Sequence, residues 1–79
     1  MNITITIDCS KYNKKKYDIA VNSDQSIIEC LKIINDSLNI NLDFDNINYC
    51  KSQNEKKAVS VYSSFNENSI HTGDILKLI

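Results

Sequence analysis

Ile27, Leu31, Ile34 and Leu38 fall on one narrow face of a 3.6-residue wheel with Cys30 at its edge, whereas Glu29, Lys32 and Asp36 point elsewhere. No second stretch of the chain repeats with this period, so the apolar stripe has no helical neighbour to pack on and must lie against a sheet. Full burial of each stripe residue is worth about 1.5–3 kcal/mol, enough for the four to decide whether a small chain folds. Ser23 and Asp24, with Ser26 as a third, are the N-cap candidates for a helix that runs to about Asn39. Ile28 and Ile33 lie off the stripe on opposite flanks, which predicts that at least one stays partly exposed.

The sheet is written on both sides of the helix. Ile3, Ile5 and Ile7 alternate with Thr4, Thr6 and Asp8, and Tyr17, Ile19 and Val21 alternate with Asp18, Ala20 and Asn22. This is the period of two of half-buried strands rich in β-branched residues. The link from Cys9 to Lys16 is too short for a crossover, so the two strands form an antiparallel hairpin, with Asn13 the residue best suited to a left-handed turn position. After the helix, Leu42 or Phe44 anchors an irregular segment, and Ile47 and Tyr49 mark a third strand. Lys51 to Lys57 reads as a loop with Asn54 at its turn, and Val59 and Val61 as a short strand. Phe65 to Ile70 reads as a turn with both named residues buried. Gly73, the one glycine, allows a positive-φ turn into a last strand, Ile75-Leu76-Lys77-Leu78-Ile79.

A hairpin, one crossing helix and further strands bury the helix stripe only against one sheet face. If the first and last strands pair in parallel at the sheet centre, the result is a ubiquitin-like β-grasp. The expected class is α+β, a mixed sheet of four to five strands packed on one helix in ββαββ order, with residues 1–79 as one domain. A plain α+β meander is the other arrangement compatible with the periodicity.

Composition narrows the function classes. The 79 residues carry 9 Lys and Arg against 10 Asp and Glu, a net charge of −1 that gives no field to recruit nucleic acid or an anionic membrane. No apolar run approaches the ~18 residues of a membrane span, and the polar start is no signal peptide, so a cytoplasmic protein with protein partners is expected. Cys9, Cys30 and Cys50 are odd in number, widely spaced and without a C-x-x-C, which fits reduced, buried thiols better than a disulfide framework. Convergence of the three with His71 on zinc is the alternative. No catalytic constellation and no cofactor motif emerges. Ubiquitin-like carriers act through a flexible tail ending in Gly-Gly. With Leu78-Ile79 at that place, carrier chemistry is not expected and binding remains.

Ile5-Thr6-Ile7-Asp8, Tyr12-Asn13, Tyr17-Asp18-Ile19-Ala20-Val21, Asp36-Ser37-Leu38 and Gly73-Asp74-Ile75-Leu76-Lys77-Leu78 together resemble the YukD/EsaB family, the small ubiquitin-like proteins of type VII secretion systems in Gram-positive bacteria. The resemblance spans essentially the whole chain and rests on the order and spacing of short segments. It implies a ubiquitin-like fold without conjugation and a non-enzymatic cytosolic accessory role in export of helical-hairpin substrates carrying Trp-x-Gly, recruited to the membrane machinery through its protein components. The segment from Lys51 to Tyr62 and the lysine-rich turn depart most from the family.

Two surfaces are candidate partner sites. If Leu76 and Leu78 point inward, Ile75 and Ile79 point outward on the sheet face where partners of ubiquitin-like domains commonly dock. Lys14 and Lys15, with Lys11, Lys16 and Tyr12, form the densest charge cluster, suited to an acidic protein surface or phosphates, or else simply a soluble hairpin tip. Asn48 stands where ubiquitin has a central apolar contact, so ubiquitin's receptors are not expected to bind. A stand-alone homodimeric regulator, a sulfur or ubiquitin-like carrier and an iron–sulfur protein are the competing classes, the last opposed by the scattered cysteines.

Overall fold

The computed structural model describes residues 1–79. Its elements follow the order β1 (Asn2–Asp8), α1 (Ser10–Asn13), β2 (Lys16–Asn22), α2 (Ile27–Leu38), β3 (Tyr49–Ser52), β4 (Lys57–Ser60) and β5 (Ile75–Leu78). The strands form one mixed sheet in the order β2-β1-β5-β3-β4. Only the central β1–β5 pair is parallel, and the three other pairs are antiparallel. This is the β-grasp arrangement with five strands and one long helix. That helix has 12 residues, and no helix is long and apolar enough to cross a membrane.

The inward residues of the strands meet α2 in a core cluster of 19 residues that includes Ile5, Ile7, Leu31, Leu76 and Leu78. Ile3, Ile5 and Ile7 are buried on β1, and Leu76 and Leu78 on β5, as their alternation predicts. Ile27, Cys30, Leu31 and Ile34 are buried on α2, Ile28 is half-buried, and Ile33 is 57% exposed. Leu38, expected on the stripe, is instead 45% exposed. Asn39 takes a left-handed conformation (φ 52°), and the chain turns there so that Ile40 and Leu42 cover that end of the core.

Of the three N-cap candidates, Ser26 is the cap: its Oγ accepts from Glu29 N–H at 3.4 Å. The reason is tertiary. The next two N–H groups, orphans of the first turn, donate to the carbonyls of Ser63 and Val61 at 3.1 and 2.7 Å, so the helix starts where residues 61–63 can satisfy it.

Two turns and the start of β3 differ from expectation. Asn13 is not left-handed; it ends α1, with Nδ2 donating to Tyr17 Oη at 2.8 Å and Oδ1 accepting from Lys15 N–H at 3.1 Å. The left-handed residue is Lys14 (φ 62°). In the β3–β4 connection the left-handed residue is Lys56 (φ 55°) rather than Asn54, and Lys51 and Ser52 belong to β3. Ile47 is buried ahead of β3, which begins at Tyr49 and points Cys50 and Ser52 inward. Gly73 has the expected positive φ of 94°, and a Cβ there would meet nothing within 4 Å. Its glycine serves the backbone angle and not space.

Asp74 is 1% exposed. One carboxylate oxygen accepts from Ser52 Oγ at 2.5 Å, and the other from the N–H groups of Asn54 and Ile75 at 3.1 and 2.7 Å. Ser52 Oγ in turn accepts from Glu55 N–H at 3.1 Å. One buried carboxylate thereby ties the entry to β5 onto the β3–β4 turn. Asp74→Ala is expected to destabilise the protein by roughly 2–4 kcal/mol, since hydrogen bonds to a charged group contribute ~1.5–3 each before rehydration of the freed donors. Asp74→Asn, which keeps an acceptor, should cost less. Urea denaturation checks the ranking, and a loss below ~1 kcal/mol for alanine would overturn it.

Candidate interaction face

With the odd residues of β1 turned to α2, the opposite face of the sheet is set by register. Across it, Asp8 pairs with Lys16 on β2 and with Lys77 on β5, Lys77 pairs with Lys51 on β3, and Lys51 with Ala58 on β4. One row thus runs Lys16, Asp8, Lys77, Lys51, Ala58. On one side of it lies the row Asp18, Thr6, Ile75, in which Thr6 Oγ1 donates to Asp18 Oδ1 at 2.5 Å and Gln53 N–H donates to the Ile75 carbonyl at 3.0 Å. On the other side lie Ile79, 47% exposed, and Tyr49, 55% exposed, one step beyond the Leu78–Cys50 pair.

Asp8 is the only acid in the lysine row. Its Oδ1 accepts from Ser10 Oγ and, at 2.9 Å, from Ser10 N–H. The Ser10 hydroxyl, then its N–H, then the Lys16 and Lys77 charges hold the Asp8 carboxyl below its usual range against the opposing effect of burial. The row is therefore three cations around one carboxylate at neutral pH. Lys77 and Lys51, directly opposed like charges, have no acid across from them on β3 or β4. A shallow hollow of about 210 Å³ opens between Asp8, Lys51, Gln53, Ile75 and Lys77.

Ile75 is half-buried and Ile79 exposed, both on the outer face, but the lysine row separates them, so they are two apolar spots and not one. Lys14 and Lys15 are exposed on the turn between β1 and β2, outside the rows. Lys16 joins the face instead. Tyr49, Lys51 and Lys77 belong to it and are not among the expected site residues; strand alternation from Leu78 points to Lys77, but Tyr49, expected to share a third strand with Ile47, and Lys51, expected in a loop, needed the position of β3. Tyr62, 61% exposed, donates its hydroxyl to Asn48 Oδ1 at 3.0 Å.

The three thiols are free and buried in the core cluster, and His71 is exposed at the surface. No group of three or more His, Cys, Asp or Glu is placed to hold a metal ion. Burial pushes the Cys30 thiol up to about 11, and burial with the Asp74 charge pushes Cys50 up to about 12. Burial, then the Asp8 charge, raises Cys9 as well. These are packing thiols, far from the lowered range of a nucleophile or redox centre.

No protein-family model and no curated protein sequence matches the chain. Among solved structures, the crystal structure of the UBL domain of Plasmodium falciparum Dsk2 is similar along its whole length, covering 100% of both chains with a TM-score of 0.63 at 12% identity. The fold is that of a ubiquitin-like domain. At this identity the likeness extends to the fold alone.

Proposed function

We propose that this chain is a non-enzymatic, ubiquitin-like interaction module that docks through the outer face of its sheet on a protein component of a Gram-positive type VII secretion machine. The observation that carries the docking surface is the register. Ile75, and Ile79 with Tyr49, flank a row in which Lys77 and Lys51 oppose each other without an acid between them. Such a face fits a partner that offers apolar side chains on either side of a carboxylate cluster: desolvation of the isoleucines supplies affinity and the lysines supply orientation. The secretion assignment rests on the resemblance of the strand and turn motifs to the YukD/EsaB family, and the ubiquitin-like fold agrees with it. The setting is the cytoplasmic side of the membrane machinery.

The test is complementation of a strain lacking the gene, with circular dichroism of each variant. Ile75→Asp or Ile79→Asp is expected to abolish secretion with the fold nearly intact, because neither side chain belongs to the core cluster. Lys14→Glu with Lys15→Glu is expected to act more weakly and in a salt-dependent way, since exposed lysines contribute only about 0–1 kcal/mol each. Normal secretion with both isoleucine variants would remove the outer face as the docking site.

A further inference from the structure

β2 is an edge strand. Its only sheet partner, β1, uses Thr4 and Thr6 toward β5: Gly73 N–H donates to the Thr4 carbonyl at 2.9 Å and Thr6 N–H to the Asp74 carbonyl at 3.0 Å. Ile3, Ile5 and Ile7 therefore turn their backbone groups toward β2, opposite Val21, Ile19 and Tyr17. The same alternation continues past the strand ends, where Ser23 N–H donates to the Met1 carbonyl at 2.8 Å and Cys9 N–H to the Lys15 carbonyl at 2.9 Å. The intervening residues, Asp18 and Ala20, point their N–H and C=O groups away from the sheet, and both are exposed.

Beside this open edge, on the α2 side, Ile19, Val21, Gln25, Cys30, Ile33 and Ile34 line a groove of about 300 Å³. Ile33, the largest apolar exposure on α2 at 57%, stands on its rim. At the beginning of β2 three consecutive lysines, Lys14, Lys15 and Lys16, are exposed. An unpaired strand edge, an apolar groove on one side of it and a cationic end are three separate features. One ligand satisfies them together.

We propose that β2 takes an extended peptide segment of a protein partner as an added strand, with apolar residues at alternating positions and a short acidic run at the end that passes Lys14 to Lys16. Main-chain bonds form to Asp18 and Ala20. The alternating side chains that face α2 enter the groove against Ile19, Val21 and Ile33, while their neighbours face solvent. The acidic run supplies the charges that the lysine turn lacks. This surface shares Lys16 with the outer sheet face and is otherwise separate from it, so Ile33→Asp tests it alone.

The probes are two synthetic peptides, one with three alternating valine or isoleucine residues separated by threonine and followed by Asp-Glu-Asp, the other with the acidic run in front. They cover the two strand directions. Titration into the ¹⁵N-labelled protein should shift the Asp18 and Ala20 amides most, saturably, for at least one peptide. A scrambled peptide that breaks the alternation should bind at least about tenfold more weakly. Ala20→Pro removes one outward N–H at a position where an edge strand tolerates proline, and should weaken binding about tenfold, the equivalent of one main-chain hydrogen bond. Ile33→Asp and the Lys14→Glu, Lys15→Glu, Lys16→Glu triple variant keep the proposal testable if proline disturbs the strand; each should weaken binding, and the triple variant should also flatten its salt dependence. The proposal is overturned if neither peptide gives saturable shifts, if the shifts fall on Ile75, Lys77 and Tyr49, or if Ile33→Asp and the lysine variant bind as well as the parent. It is also overturned if the β2 amides shift with protein concentration alone, which would make a second copy of this chain the occupant.

Discussion

Between pH 9 and pH 11, in reducing solution, the protein is expected to lose roughly 4–5 kcal/mol of stability, the linkage cost of about two thiols that ionise only after unfolding. In the unfolded chain a cysteine titrates near 8.5. In the fold, burial holds Cys30 at about 11 and Cys50 at about 12. A pKa raised by folding means that the stabilisation is complete below the unfolded value and is lost as pH rises toward the folded one, because the unfolded state then binds fewer protons. The slope is ~1.4 kcal/mol per pH unit for each thiol, and Cys9, also raised by burial, adds in the same direction. For a chain of this length with a total stability on the order of 4–12 kcal/mol, that is a large part of the whole. Urea midpoints at pH 8, 9, 10 and 11 give the slope directly. Cys30→Ala with Cys50→Ala lowers the starting stability but should flatten the slope, and a parent slope below that of one proton would mean that the thiols are hydrated.

The same burial explains which parts of the fold could be read from the residues. Period-two alternation named the inward residues of β1 and β5, because each of those strands has one face in the core and one in solvent. The helix stripe named Ile27, Leu31 and Ile34 for the same reason. Leu38 escaped the pattern because the end of α2 is decided by Asn39, whose left-handed turn hands the last core positions to Ile40 and Leu42. β3 was misplaced by its own contents: its inward residues are Cys50 and Ser52, and a serine reads as polar until Asp74, 22 residues away, is seen to bond it. The left-handed turns at Lys14 and Lys56 were likewise invisible, since with one glycine in the chain those positions fall to residues selected by their neighbours' hydrogen bonds and not by intrinsic preference. For the candidate face, alternation oriented Ile75 and Ile79 but could not set them apart. Only the β5–β3 register, which opposes Lys77 to Lys51, divides the two isoleucines with a charged row.

Leu31→Ala and Leu76→Ala are each expected to cost about 2–5 kcal/mol, the range for deleting a buried leucine where the surrounding core closes only partly. Both are 0% exposed, one on the face that α2 lays on the sheet and the other on the strand at the sheet's centre. Both belong to the one core cluster, and the double variant tests their coupling: a departure of ~0.5 kcal/mol or more from the sum of the two is the signature of a shared cavity. Leu38→Ala is the control that separates the observed helix from an idealised wheel. On the wheel it belongs to the stripe with Leu31; in the fold it is 45% exposed and should cost under ~1 kcal/mol, as surface truncations do. Denaturation of the four purified variants decides between the two. Equal losses at Leu31 and Leu38 would place the end of α2 against the sheet, and a small loss at Leu76 would mean that β5 presents its other face to the helix. In that case Ile75 and Lys77 would be core residues, and the outer face proposed for docking would not exist.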